Sequence, residues 1–338
     1  MSGDEAPADR RQAGIKPHTN LSIRREPSTS RMPTIRLVGA TFQLGRRSTC
    51  PRSAPDASTS KIWARADTGV DATKRPHIDH ECKTSPMRID LHINQALAPV
   101  GDVIDCAVRA DQGIYDAVWV LDHLASMEPA RNKGQMLDPH ILLGAIATNT
   151  KRVHLGVLVN NVAVRPAEVI AGATASLDII SQGRAVLGLG AGAAPNTYFA
   201  SEHAALGNVL DPSMEARHDR LLDTLARVTA IWSGEHDKSV VFPKPTRTIP
   251  VVVGVNSVAL ARRAAAAGCG INVRGDNPRV NEILECANPS VGDWSSSVWF
   301  PYDRSLTDPN EARMADLERR GVARVILLTS SPDDVLTA

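Results

Sequence analysis

The chain has 338 residues and a formal net charge of +1, which is enough chain for one large domain or two small ones. A charge so close to zero gives no electrostatic preference for nucleic acid or for an anionic membrane. No apolar run reaches the ~18 residues that a membrane-spanning helix requires. Five cysteines without paired spacing favour free thiols in a reducing compartment, so we expect a cytoplasmic protein.

Residues 1–86 differ in composition from the rest of the chain. They carry 15 Lys/Arg against 9 Asp/Glu and are rich in Arg, Ser, Thr and Pro. A segment with so few apolar residues cannot bury enough surface to offset the entropy of ordering it. We therefore predict a disordered, basic N-terminal extension, and Met87, which opens the first convincing strand, is a candidate for the natural start. Within the extension, His77, His80 and Cys82 resemble a set of metal ligands, but no further ligands follow at zinc spacing, which favours a polar linker.

Removal of residues 1–86 tests this boundary. The midpoint of thermal unfolding should stay nearly unchanged, because a segment without an apolar core contributes little to the free energy of unfolding. Scanning calorimetry of the full and shortened chains measures it. A large drop in the midpoint would show that the segment belongs to the fold.

From Met87 onward, short apolar runs alternate with longer amphipathic segments. The runs predict strands over 87–93, 117–121, 153–159, 184–190, 250–255, 270–274, 297–301 and 323–329. The segments between them predict helices near 100–113, 138–150, from Pro166, 213–233, from Ser257, 277–287 and 309–320. Short apolar runs suit parallel strands that are buried on both faces. Eight such strands predict an α/β fold, a (β/α)8 barrel over residues 87–338 whose last helix is cut short at Ala338.

Polar and glycine residues follow several of these predicted strands. They are Asp122 and His123, Asn160 and Asn161, Gly190 to Gly192, and Gly254 with Asn256. In a (β/α)8 barrel the carboxyl ends of the strands meet at the face that carries the active site. We therefore expect these residues to surround one site.

The pair of Asp122 and His123 is the first candidate for chemistry. An imidazole can give or take a proton near neutral pH, and the neighbouring carboxylate could stabilise its charged form. The alternative is that the pair caps the following helix. His92 also reaches the barrel mouth, but it lacks the second histidine of a metal-binding pair, which weakens a metal-dependent hydrolase hypothesis.

Two further segments suggest a bound ligand. In "LGLGAGAAPN" (187–196) the glycines lie at 188, 190 and 192, so the dinucleotide fingerprint fails at its third glycine. These glycines either let a flat ligand approach the backbone or form a tight turn with positive φ. Gly254, Asn256 and Ser257 stand at a helix start, which suits a phosphate group or an ordinary helix cap.

Residues 165–192 carry the most specific pattern. Arg165 and Pro166 precede Leu177, Asp178, Ser181, Gly183 and Arg184, and the three glycines follow. With "WVLDH", "RLLDTLARVTAIWSG" and "IPVVVGVNSVALARRAAAAG" in the same order, residues 87–338 resemble the luciferase-like family of flavin- and deazaflavin-dependent oxidoreductases. The resemblance does not extend to residues 1–86.

The resemblance implies a (β/α)8 barrel that binds flavin mononucleotide (FMN) or the deazaflavin coenzyme F420 at its mouth. It places His123 near the reactive ring carbon, with Asp122 beside the imidazole to set it. It also implies a non-prolyl cis peptide at Val159-Asn160-Asn161. Cofactor contacts are expected as follows: Asn160 and Asn161 at the ring edge, Gly190, Ala191 and Gly192 along the ring, Asn196 nearby, and Gly254, Asn256 and Ser257 at the phosphate tail. Ala193 and the stretch from Leu124 to Met127 depart from the family, because some members carry an acid or an aromatic residue there.

The function expected from this resemblance is hydride transfer between coenzyme F420 and a small organic substrate. An FMN-dependent monooxygenase, which would need a flavin reductase as partner, is the alternative. A barrel that binds the cofactor without turnover and a metal-dependent hydrolase are hypotheses of other classes. A homodimer is the candidate assembly.

Overall fold

The computed structural model describes residues 86–127, 134–236 and 238–335. Nearly all of the predicted N-terminal extension, with His77, His80 and Cys82, lies outside these residues, so the predictions about it stay predictions. Within the described part of the chain, no helix is long and apolar enough to cross a membrane.

Nine strands are present in the described residues. They are β1 (Arg88–Ile93), β2 (Ala117–Val120), β3 (His154–Val157), β4 (Asn160–Asn161), β5 (Ala185–Gly190), β6 (Val251–Gly254), β7 (Gly270–Arg274), β8 (Ser296–Pro301) and β9 (Arg324–Leu328). Most of their residues are buried, as their continuous apolar character predicts.

The α-helices alternate with the strands. They are α1 (Val100–Gln112), α2 (Pro139–Asn149), α3 (Ala167–Ile180), α4 (Ser201–Ala205), α5 (Met214–Ser233), α6 (Val258–Ala266), α7 (Val280–Leu284) and α8 (Ala312–Arg319). Side-chain caps fix several of their starts, since Asp138, Ser213 and Ser257 each accept a hydrogen bond from an amide of the first turn. The long helix α5 ends at Gly234, whose φ of 78° is readily adopted only by glycine.

The sheet closes into a barrel. All strand pairs are parallel, and the order runs from β1 through β2, β3, β5, β6, β7, β8 and β9, which pairs with β1 again. The predicted (β/α)8 barrel is therefore confirmed. Strands predicted at 184–190, 250–255, 270–274, 297–301 and 323–329 correspond to β5 to β9 within about two residues at either end.

The third predicted strand, 153–159, is interrupted. The strand β3 ends at Val157, a cis peptide bond joins Leu158 to Val159, and β4 then pairs with the end of β5. The resemblance placed the cis bond at Val159-Asn160-Asn161, and the structure has it immediately before that stretch. The interruption directs residues 158–161 across the carboxyl end of the barrel.

The pattern that runs from Leu177 to Arg184 holds the barrel wall together. The buried Asp178 accepts hydrogen bonds of 2.6 Å from the amide and the hydroxyl of Thr246, which fixes the approach to β6. The guanidinium of Arg184 donates to the carbonyls of Ala147, Thr150 and Val153, and so satisfies the end of α2. This part of the family pattern is therefore structural.

A buried ion pair lies inside the barrel, at the amino ends of the strands. The carboxylate of Asp90 accepts two hydrogen bonds from Arg324, of 2.7 and 2.9 Å, and one of 3.0 Å from the indole of Trp119. Both members of the pair are at most 1% exposed. The Arg324 guanidinium also pairs with Asp116 and stacks on Trp294.

Candidate active site

A cavity of about 420 Å³ opens at the carboxyl ends of the strands. Most of the residues that the sequence predicts for the site line it, namely Asp122, His123, Asn161, Gly190, Ala191, Gly192, Gly254 and Asn256. The predicted residues Asn160, Asn196 and Ser257 do not. The barrel therefore brings eight of the predicted residues together from β2, β4, β5 and β6 or the residues just after them.

The carboxylate of Asp122 is bound by Arg165 and not by the neighbouring imidazole. Arg165 donates to both carboxylate oxygens over distances of 2.8 to 3.0 Å, and the amide of Asn161 donates to Oδ2 at 2.9 Å. The expectation that Asp122 sets His123 was therefore wrong. The guanidinium and the amide already occupy the acceptor sites of this buried carboxylate. The carboxylate therefore holds β4 in place and does not orient the imidazole.

The partner of His123 is Glu202, on the short helix α4 after β5. The Nδ1 atom of His123 lies 2.8 Å from Oε1 of Glu202, and the amides of Leu124 and Ala125 donate to Oε2 at 2.6 and 3.0 Å. Burial alone would raise the pKa of Glu202, but the hydrogen bonds from His123 and the two amides lower it below its ordinary value. An ionised carboxylate accepts only, so the Nδ1 atom of His123 is the donor.

The segment that carries Glu202 also covers the face of the imidazole. Phe199 stacks on His123 with ring centroids 6.3 Å apart and an angle of 16° between the planes. Phe199 and Glu202 both line the cavity. The sequence predicted only a long insert here, because a single carboxylate 79 residues from its partner leaves no periodic signal.

The two asparagines of β4 have different roles. Asn160 is 1% exposed, and its side chain donates to the carbonyl of Gly188 at 2.9 Å and contacts Nε2 of His140 at 2.8 Å. Both ends of its amide are thus used inside the protein, which corrects the expectation that Asn160 reaches the ring edge. Asn161 lines the cavity, while its Oδ1 accepts from the amide of Ala163 at 3.0 Å.

The glycines of the predicted ligand loop are required first by packing. A Cβ atom on Gly190 would lie 2.2 Å from Cγ2 of Val159, and one on Gly192, whose φ is +81°, would lie 2.9 Å from Oδ1 of Asn161. The turn with positive φ is therefore present at Gly192, whereas the approach of a flat ligand to this segment stays a prediction. Gly190 admits the bend at Leu158–Val159, Gly192 makes a turn with positive φ, and both still line the cavity.

Only part of the predicted phosphate segment lines the cavity. Gly254 and Asn256 line the cavity, whereas Ser257 caps α6 by accepting from the amide of Leu260 at 3.3 Å. Asn196 is exposed, with a φ of +63°. Ser257 therefore caps a helix, as the alternative to a phosphate site predicted, and Asn196 lies in a turn.

Cationic side chains also line the cavity. Arg217 and His218 come from the start of α5, and Arg274 from the end of β7. Arg274 lies over the ring of Trp299 at 4.7 Å and pairs with the exposed Asp276. Burial first, then Arg263 and Arg217, lower the pKa of His218, so its imidazole is neutral at physiological pH and the arginines supply the positive charge.

His92 lies beside His123 in the cavity wall and is 2% exposed. Its Nδ1 atom accepts a hydrogen bond of 3.0 Å from the indole of Trp299. Among the described residues, its Nε2 atom has no hydrogen-bond partner. No group of three or more His, Cys, Asp or Glu in the described part of the chain could hold a metal ion.

Comparison with known proteins identifies the family of this chain. A sequence model of the family described as luciferase-like monooxygenase matches residues 84–283. The F420-dependent glucose-6-phosphate dehydrogenase of Segniliparus rotundus is 32% identical over 286 residues, which are 70% of this chain and 82% of that protein. The enzyme of the same name from Amycolatopsis mediterranei is 31% identical over 229 residues, 60% of this chain and 66% of that protein.

Solved structures share the fold. An F420-dependent secondary alcohol dehydrogenase, in complex with an F420-acetone adduct, superposes with a TM-score of 0.59 at 19% identity, and the match covers 74% of this chain and 96% of that one. Likeness at this identity bears on the barrel alone. Since the family model matches more than half of the chain, this protein belongs to the luciferase-like monooxygenase family.

Proposed function

We propose that the protein is an oxidoreductase that transfers hydride between coenzyme F420 and a small organic substrate. The observation that carries the proposal is the pairing of His123 with the buried Glu202 at the cavity wall, because it gives a proton-carrying group a fixed orientation. The relatives named as F420-dependent dehydrogenases support this choice of cofactor. The substrate stays open, since the loops of a barrel set it.

The residues of the cavity fit a cofactor of this kind. Leu158, Val159 and Ala191 give an apolar wall against which a flat ring can pack. Asn256 and Leu260 bring the start of α6 to the cavity, and Arg217 lines it as well, which suits an anionic tail.

We therefore assign Val159 with residues 190–192 to the ring, and Gly254, Asn256 and the start of α6 to the phosphate. Bound there, the deazaflavin would accept or donate a hydride. His123 would take or give the accompanying proton at Nε2, while Glu202 holds Nδ1. Asp122 acts through Arg165 and the Asn161 amide, which keep β4 against the cavity.

Titration of the full chain with coenzyme F420 and with FMN tests the proposal. The fluorescence of each cofactor should report tighter binding of F420. Tighter binding of FMN, with oxygen consumption when reduced FMN is supplied, would favour the monooxygenase that the family description names. Binding without any redox turnover would favour the non-catalytic barrel. The homodimer and the flavin reductase partner stay predictions.

Substitution of Gly254 tests the assigned phosphate site. A Cβ atom there would lie 3.2 Å from Cγ1 of Val159, which is tight but can be relieved by a small shift of that side chain. Gly254→Val, with two further methyl groups at the cavity wall, should therefore weaken F420 binding at least tenfold, and Gly254→Ala should weaken it less. Fluorescence titration measures both, and equal affinity in wild type and Gly254→Val would remove Gly254 from the site.

A further inference from the structure

Asn160, the first residue of β4, is held by two hydrogen bonds of its buried side chain. Its Nδ2 atom donates to the carbonyl of Gly188 at 2.9 Å, and its Oδ1 atom lies 2.8 Å from Nε2 of His140. A carbonyl oxygen only accepts, so the bond to Gly188 fixes which end of the amide faces His140. Because Oδ1 also only accepts, Nε2 of His140 is the donor and carries the proton of the neutral imidazole.

The surroundings of His140, on the helix α2, keep its imidazole in this form. Among the residues that the structure describes, its Nδ1 atom is buried without a hydrogen-bond partner, so a second proton there would have no acceptor. Burial first, and then the charge of Arg165, lower the pKa of His140 below its ordinary value, although the bond to Asn160 opposes this. The imidazole is therefore neutral at physiological pH and donates once, to Asn160.

The next residue of β4 is tied to the same helix by a second route. The amide of Asn161 donates to Asp122 at 2.9 Å, and Arg165 joins Asp122 to Asp138 with bonds of 2.8 Å to each carboxylate. Asp138 in turn caps α2 by accepting from the amide of His140 at 3.0 Å. The hydrogen bonds therefore form a closed network that starts at α2, holds both residues of β4 and returns to α2.

Val159 precedes this network and lies in the cavity wall. Its side chain is packed against two glycines, since a Cβ atom on Gly190 would lie 2.2 Å from its Cγ2 and one on Gly254 would lie 3.2 Å from its Cγ1. Asn160 fixes the backbone on the other side of Val159. A displacement of Asn160 would therefore move the surface against which the cofactor ring is assigned.

We propose that His140 is a positioning residue for the cofactor: its Nε2 proton holds Asn160, and thereby Val159, in the place that a flat ring requires. The inference rests on the proposed function, and it adds a residue that does not line the cavity. Without the bond, the segment that carries Val159 can occupy other positions. The cofactor then binds only the fraction of molecules that have the competent one, which lowers its apparent affinity.

Fluorescence titration of the full chain with coenzyme F420 tests the proposal. His140→Phe keeps a ring without the donor and should weaken binding about three- to tenfold, the usual weight of one hydrogen bond. In His140→Gln the amide nitrogen can replace Nε2 and should restore the affinity to within about twofold of the wild type. Ile141→Phe, at the next and exposed position of α2, is the matched control and should leave the affinity unchanged. Unchanged affinity in His140→Phe, or an equal loss in His140→Gln, would overturn the proposal.

The midpoint of thermal unfolding distinguishes a positioning role from a general loss of stability. Arg324→Met removes one member of the buried ion pair at the amino ends of the strands. It should lower the midpoint at least as much as His140→Phe does and leave the affinity for F420 unchanged. If the affinity falls in both variants in proportion to the midpoint, His140 is a structural contact only.

Spectra of the chain without cofactor separate this inference from the proposed function. At about pH 8, above the ordinary pKa of an imidazole, nitrogen-15 spectra should show His140 protonated at Nε2, and the signal should disappear in His140→Gln. The carbon-13 methyl signals of Val159 should shift in His140→Phe and return toward their wild-type positions in His140→Gln. These changes in a chain that fails to bind F420 would support the positioning role and sink the proposed cofactor. Binding of F420 with unchanged Val159 signals in His140→Phe would overturn the positioning role alone.

Discussion

Replacement of His123 by alanine should lower turnover by roughly 10²–10⁴-fold, the usual contribution of a positioned proton donor or acceptor. The affinity for the cofactor should change little, because the ring is assigned to Val159 and residues 190–192, and the phosphate to Gly254, Asn256 and the start of α6. Steady-state kinetics on an identified substrate give the first quantity, and fluorescence titration gives the second. Full turnover in His123→Ala would reduce the pair with Glu202 to a structural contact.

Two conservative variants distinguish the roles of Asp122, which precedes His123 in the sequence, and Glu202, which contacts His123 in the structure. Glu202→Gln should lower the turnover number, with a smaller change in KM. If the Gln oxygen takes the place of Oε2, where the amides of Leu124 and Ala125 both donate, the NH2 group faces Nδ1 of His123 and cannot accept from it. Asp122→Asn should leave the orientation of His123 unchanged, since Asp122 contacts Arg165 and the Asn161 amide. It should lower the thermal midpoint instead, and a larger loss of turnover in Asp122→Asn than in Glu202→Gln would contradict these assignments.

The barrel could be predicted from the sequence because parallel strands buried on both faces produce continuous apolar runs at regular spacing. The runs from β5 to β9 are of this kind, and their positions agree with the structure. The interruption of the third predicted strand could not be read from "VHLGVLVNN", because apolar residues continue through Leu158 and Val159. Its trace in the sequence lies elsewhere, in Gly188 and Gly190, whose absent Cβ atoms make room for Val157 and Val159.

The carboxyl ends of the strands could be predicted as the site, but the pairing of side chains there could not. Adjacent residues such as Asp122 and His123 invite the assumption that they pair, yet they point to different partners. Asp122 meets Arg165, 43 residues away, and His123 meets Glu202, 79 residues away. Such pairings depend on how the segments that follow β4 and β5 fold over the barrel mouth, and one sequence without periodic character in those segments does not determine it.

The buried pair of Asp90 and Arg324 should have the largest effect on stability. In Arg324→Met the fully buried carboxylate of Asp90 would keep the hydrogen bond from the indole of Trp119 but lose the guanidinium. Removal of one member of a buried ion pair costs about 3–5 kcal/mol, because the other charge stays in a medium that solvates it poorly. Urea unfolding at neutral pH should show this loss as a lower midpoint at an unchanged slope.

The double variant Asp90→Asn with Arg324→Met removes both charges and should recover part of the loss, since it leaves no uncompensated charge in the barrel. Arg319→Met is the matched control, because Arg319 pairs with Asp316 on the exposed surface of α8, where such a pair contributes about 0–1 kcal/mol.

At temperatures where Arg324→Met is still folded, its affinity for F420 should equal that of the wild type. The pair lies at the amino ends of β1 and β9, and the cavity lies at the carboxyl ends. A loss in Arg324→Met no larger than that in Arg319→Met would contradict a stabilising role of the buried contact between Asp90 and Arg324.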